Sequence, residues 1–238
     1  MAVIALMMTI SASAQFYIYC SDGNVIKVDS ISMIAPSENV DPYNGHEYVD
    51  LGLSVKWATC NVGASKPEEY GDCFAWGETE PKSTYNWSTY KYCNGSSSSL
   101  TKYCTNSSYG TVDNKTTLDL SDDAARVNWG GSWRMPTMAE QDELLNNCTW
   151  TWTTQNGVYG YKVTSKKSGY TNKSIFLPAA GYRDDSWLSS AGSYGDYWSS
   201  SLNSNNPYGA WYVLFDSGFV NRSFDNRYFG FSVRPVCP

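Results

Sequence analysis

Apolar and polar positions follow two different spacings along the chain, and the change falls near Thr149. Before it, Thr137-Met138-Ala139-Glu140 has the form of a capping box, in which the threonine hydroxyl takes the Glu140 amide and the glutamate side chain reaches back. Leu144, Leu145 and Cys148 then fall on one face of the helix this predicts. A shorter helix is predicted over Ser121-Asp122-Asp123-Ala124-Ala125-Arg126-Val127, where a capping serine precedes acids in the first turn. After Thr149 the apolar runs shorten to strand length, at 158–164, 174–177, 194–200, 210–215 and 229–236, separated by Gly, Asn and Ser. Short helices followed by a meander of strands predict an α+β domain rather than a parallel α/β sheet.

The segments outside this pattern set the expected boundaries. Residues 1–14 form a short apolar run ending in Ala12-Ser13-Ala14, read as a signal peptide that lacks its basic start, as a truncated one would. Residues 15–35 hold two apolar runs around Ser21-Asp22-Gly23-Asn24, the signature of a small β-hairpin module. Residues 36–44, with Pro36 and Pro42, read as a linker, and the main domain is expected over 45–238. Between Tyr85 and Thr117 a stretch rich in Ser, Thr, Asn and Tyr has no sustained periodicity and reads as a long surface loop or an insertion.

Composition narrows the function. The 19 Tyr and 10 Trp suit half-buried β surfaces and binding faces better than helical bundles. A formal charge of -6 without a basic run excludes a nucleic-acid partner, and no segment predicts a transmembrane helix. Seven cysteines in an exported chain leave at least one free or paired between molecules; Cys93 and Cys104 flank the Ser-rich loop, and a disulfide there stays open. His46 has no partner histidine, so no metal or other cofactor is expected; a calcium ion on Asp184, Asp185 and Asp196 is the weak alternative. No catalytic constellation is visible, and a non-enzymatic role is expected.

Several long motifs carry a family resemblance: HEYVDLGLSVKWATCNVGA from His46, FAWGE from Phe74, WRMPT from Trp133, FLPAAGYR from Phe176, YWSS from Tyr197 and GFSVRPV from Gly230. Over residues 45–238 the chain resembles the exported Fibrobacter major paralogous domain family, known from gut Bacteroidetes. That family is similar to C-type lectin-like domains of the formylglycine-generating-enzyme type. The resemblance implies a C-type lectin-like fold with two short helices, a small twisted antiparallel sheet and extensive loops.

Some such domains look like the variable proteins of diversity-generating retroelements, which randomise AAY codons in a C-terminal cassette before a GFSVRPV-like strand. That chemistry never yields Lys, Glu, Gln, Met or Trp, and residues 199–229 comply apart from Trp211. The resemblance therefore implies an exported receptor or adhesin for a protein or glycan on another cell, a phage or a host surface. The alternative is a non-variable paralogue that binds glycans without calcium, since the calcium motifs of animal lectins are absent.

Strand alternation then separates scaffold from surface. Trp211, Val213 and Phe215 are expected to face a core, and Tyr212, Leu214 and Asp216 to face solvent. With Tyr208, Phe219, Asn221, Ser223, Phe224, Asp225 and Tyr228 they make up the expected ligand-binding surface, a mixture of rings and short polar groups like that of antibody paratopes. Arg222 and Arg227 are expected to frame it; Arg134 and Arg234 are read as structural, and Trp129, Trp133 and Trp198 as core.

Overall fold

Thr137 accepts the Glu140 amide at 3.3 Å while a Glu140 carboxylate oxygen accepts the Thr137 amide at 2.7 Å, so the capping box forms as the sequence requires. Glu140 also holds Arg134 through two hydrogen bonds of 2.7 and 2.5 Å, which ties the helix start to the strand-like segment before it. These contacts come from a computed structural model that describes residues 41–238 and the strands Phe16–Tyr19 and Val25–Val28. The expected signal peptide, the turn of the hairpin module and residues 36–40 of the expected linker lie outside the described residues.

In chain order the elements begin with β1 (Phe16–Tyr19) and β2 (Val25–Val28), which pair antiparallel. The second unit, Asp41–Pro238, opens with β3 (Tyr48–Val49), β4 (Lys56–Ala58) and β5 (Cys73–Phe74), then α1 (Ala124–Trp129) and α2 (Met138–Asn147). There follow β6 (Cys148–Gln155), β7 (Val158–Ser165), β8 (Ser174–Pro178), β9 (Tyr182–Asp184) and β10 (Trp187–Ser189). β11 (Gly195–Leu202), β12 (Gly209–Phe215), β13 (Val220–Asn226), β14 (Phe231–Ser232) and β15 (Val236–Cys237) complete it.

The fold is mixed α+β, with two α-helices among the described residues and mostly small antiparallel sheets. The largest sheet has the order β13-β12-β11-β14-β5, with β14 running parallel to β11. Smaller sheets are β15-β4-β3 and β6-β7-β8. No helix of the described residues is long and apolar enough to cross a membrane.

The expected 229–236 strand is instead two short ones. Its chain crosses from the five-stranded sheet to the β15-β4-β3 sheet, and Pro235, which has no amide hydrogen to give a ladder, lies in the crossing. The shorter helix starts later than expected: Asp123, not Ser121, caps it by accepting the Arg126 amide at 2.9 Å. The Asp122 carboxylate is engaged elsewhere, by Tyr103 at 2.6 Å and Lys102 at 2.5 Å.

The Ser-rich stretch forms no regular element, but it is not merely a surface loop, since Tyr85, Tyr90, Tyr92 and Tyr103 from it are buried in the main core. Asp113 holds its bend by accepting the amides of Tyr103 and Cys104 at 2.8 and 2.9 Å. The candidate disulfide in it does not form: the Cys93 thiol donates to the Trp87 carbonyl and the Cys104 thiol to that of Asn106. Trp129, Trp133 and Trp198 are buried as expected, and His46 lies flat on Trp129 at 3.7 Å.

Candidate functional site

β12 is the central strand of the β11-β12-β13 meander, and its two faces meet different surroundings. On one face Val213 lies between Tyr197 and Arg222, and Phe215 between Gly195 and Val220. This face is sealed: Phe215 is fully buried among Tyr161 at 5.2 Å, Tyr197 at 5.8 Å and Trp152 at 6.4 Å. Gly195 makes room for it, because a Cβ there would sit 2.1 Å from the Phe215 ring. Trp211 shares this face but is half-buried at its rim, against Phe224 at 5.6 Å and beneath the Arg222 guanidinium at 4.8 Å.

On the other face, Trp198 and Asp196 of β11 oppose Tyr212 and Leu214, which in turn oppose Ser223 and Asn221 of β13; Asp225 stands beside Ala210. The alternation of faces is as the strand pattern predicts, but the exposure is not. Tyr212 is only 6% exposed and Leu214 half-buried, because Phe231 of β14 packs over Tyr212 at 4.7 Å and Tyr182 of β9 closes the same side. The face becomes the floor of a cavity of about 220 Å³ instead of a flat platform.

Five rings, Tyr182, Tyr194, Tyr212, Phe229 and Phe231, line this cavity together with Leu214. The remaining lining groups are two carboxylates, Asp196 and Asp225. Asp196 is 5% exposed, and its Oδ2 receives no hydrogen bond. Burial, and then the charge of Asp225, push the Asp196 carboxyl up to about 7. Asp225 is raised as well, first by burial, although the Asn226 amide bonds to it at 2.7 Å. The Tyr212 hydroxyl, next to Ser223, is raised by burial and by both carboxylates.

The other expected site residues are dispersed around this cavity. Tyr228 stands next to it, tilted on Phe229 at 4.6 Å and edge-on to Trp87 at 5.1 Å. Tyr208 packs against Tyr109 at 5.5 Å, and Phe224 belongs to the opposite face with Trp211. Asp216 is a turn residue, its Oδ1 accepting the amides of Gly218 and Phe219, and Phe219 is exposed at the tip of that turn. Asn221 is exposed and borders a groove of about 600 Å³ whose charged groups, Arg222 and Asp142, pair with each other.

Arg227 does not frame the surface. It is fully buried between the rings of Trp76 and Tyr90, at 5.5 and 5.2 Å, and donates to the carbonyls of Lys102 and Tyr103. A flat guanidinium stacks on rings in this way where an ammonium would not, so the residue anchors the Ser-rich stretch beneath the sheet. Arg234, also buried, donates to Asn61 and to the carbonyls of Ala58 and Thr59, which fits its structural reading. Asp184, Asp185 and Asp196 do not converge; among the described residues no three His, Cys, Asp or Glu side chains could hold a metal ion.

Residues 150–236 match the model of a domain of unknown function (DUF8237), a segment that contains every residue lining the cavity. No curated protein and no solved structure matches the chain.

Proposed function

We propose that the chain is an exported ligand-binding protein of the receptor or adhesin type, with a C-type lectin-like scaffold and a terminal region, about 199–229, diversified by a retroelement. The ligand is a protein or glycan carried on another surface, and the protein catalyses no reaction on it. Two short helices, several small sheets and long ordered loops support such a scaffold.

The observation that carries the reading is the division of labour across β12. Val213 and Phe215 are locked into a sealed aromatic core, whereas Tyr212, Leu214 and Asp225 line a cavity that also holds the unpaired Oδ2 of Asp196. A diversified segment needs this arrangement, because partly exposed side chains that border the cavity, such as Leu214 and Asp225, can change without unpacking the strand that carries them.

The test is to sequence the 3′ coding end from many isolates together with its genomic surroundings. The reading requires a reverse-transcriptase gene and a near-copy of the cassette that differs from it at adenines, with variation confined to codons within 199–229. Variation spread evenly over the domain, or no such template, would leave the glycan-binding paralogue in its place.

A further inference from the structure

The chemistry of the cavity specifies a ligand more narrowly than its position does. Two acids and five rings face one space of about 220 Å³, and no Lys, Arg or His lines it. Asp196 is only 5% exposed, and no protein donor reaches its Oδ2. A buried carboxylate with no donor is costly, so such groups normally have a partner. Here the missing partner has to be a cation or a strong donor that enters from outside.

The rings decide which kind. Tyr212 and Phe231 are tilted against each other at 4.7 Å, and Tyr182 stands edge-on to Phe229 at 5.9 Å and to Phe231 at 6.3 Å. Ring faces attract organic cations held close to them, and aromatic cages of this composition suit ammonium groups. A hard metal ion is disfavoured, since Ca²⁺ requires about six to eight oxygen ligands and the lining offers mostly ring carbon. The volume lies below the roughly 300 Å³ at which pockets begin to take whole drug-sized molecules, so it suits one side chain or head group.

We propose that this cavity binds an alkylammonium group, the charged end of a lysine side chain or of a small free amine, with Asp196 and Asp225 as counter-ions and Tyr182, Tyr212 and Phe231 as the cage. The proposal rests on the reading that this face takes a ligand, and it names the chemical class of that ligand. Apolar Leu214 then packs along the methylene stem. The charged groups around Asp196 are Asp225 from β13, Tyr212 from β12, Tyr197 from its own strand and Cys73 from β5, with Asp184 of β9 acting on Asp225. Burial raises Tyr197, Tyr212 and Cys73 away from neutrality, whereas Asp196 is raised to about 7.

The experiment titrates the full chain by calorimetry with four probes: N-acetyl-lysine methylamide, its uncharged norleucine counterpart, choline and calcium chloride. The lysine probe is expected to bind at least about tenfold more tightly than norleucine, and binding should strengthen from about pH 5.5 to about pH 8 as Asp196 ionises. Asp225→Asn, and separately Asp196→Asn, should each weaken the lysine probe by about tenfold, with an unchanged near-UV spectrum to show that the fold is intact. Choline binding as well as lysine would identify free quaternary amines as the source and keep the proposal.

Equal affinity for lysine and norleucine would overturn the cation assignment while leaving a ligand cavity in place. Calcium binding that excludes lysine would replace it with a metal site. Failure of every probe at millimolar concentration would overturn it, and the adenine-restricted variation sought in the genome would still be decided independently.

Discussion

Asp196→Asn should make the protein more stable above neutral pH, although it removes a charged residue from the middle of a sheet. The carboxyl titrates at 3.8 when unfolded and is raised to about 7 in the folded chain, first by burial and then by Asp225. A raised carboxyl contributes fully to stability below its unfolded value, and that contribution is lost as pH rises through the folded one. At about 1.4 kcal/mol per pH unit, the whole difference amounts to roughly 4 kcal/mol by about pH 8.

The asparagine has the same shape and never ionises, so it escapes this loss. It also removes the repulsion from Asp225, so a gain of about 2–4 kcal/mol is expected at about pH 8, shrinking towards zero below about pH 4. Urea unfolding followed by tryptophan fluorescence, with parent and variant compared at each pH, isolates Asp196 and the groups coupled to it, chiefly Asp225, because uncoupled titrating groups cancel in the difference. A stability difference that does not change with pH, or a less stable variant at pH 8, would refute the reasoning. The same substitution should weaken the lysine probe, so one residue would carry opposite effects on stability and binding, as expected where a site is strained for function.

Other substitutions give contrasting outcomes. Asp122, held by Lys102 and Tyr103, is lowered to about 2 despite its burial. Asp122→Asn should therefore cost about 2 kcal/mol at neutral pH, and the loss should disappear as acid unfolding curves approach about pH 2. Gly195→Ala pushes a Cβ to within 2.1 Å of the fully buried Phe215 ring. A loss of about 1–3 kcal/mol is expected in a denaturant titration, and pairing it with Phe215→Leu should recover part of that loss.

What could be read from the sequence depended on how far each contact reaches along the chain. The α2 capping box is a four-residue signal and was fully legible, as were β11 and β12; β13 (Val220–Asn226) was not expected as a strand, since its run of Asn, Arg, Ser and Asp carries little β signal of its own and is held by pairing to β12. The two faces of β12 were legible from alternation, because side chains in a strand alternate whatever surrounds them. Whether the second face met water was not, since Phe231 and Tyr182 reach it from other strands.

Arg227 illustrates the same limit: Trp76 and Tyr90, which enclose it, lie far earlier in the chain. Of the cavity groups, the sequence pointed to Tyr212, Leu214 and Asp225 but not to Tyr182, Tyr194, Phe229 or Phe231 as ligand contacts. A signal was available in Gly195-Asp196-Tyr197-Trp198, where a single acid interrupts a strand of otherwise buried character. Its raised titration is the trace that such an acid leaves.

The central claim, that β12 carries a fixed core on one side and an exchangeable binding side on the other, is tested most directly by a randomised library. Positions 214, 223 and 225 form one set and positions 161, 197, 213 and 215 the other, with surface display reporting folding and sorted binding reporting ligand choice. The account predicts that the first set retains display across most short polar and aromatic residues while binding changes, and that the second set loses display with nearly every replacement. Equal intolerance in both sets, or altered binding that maps to the second set alone, would contradict it.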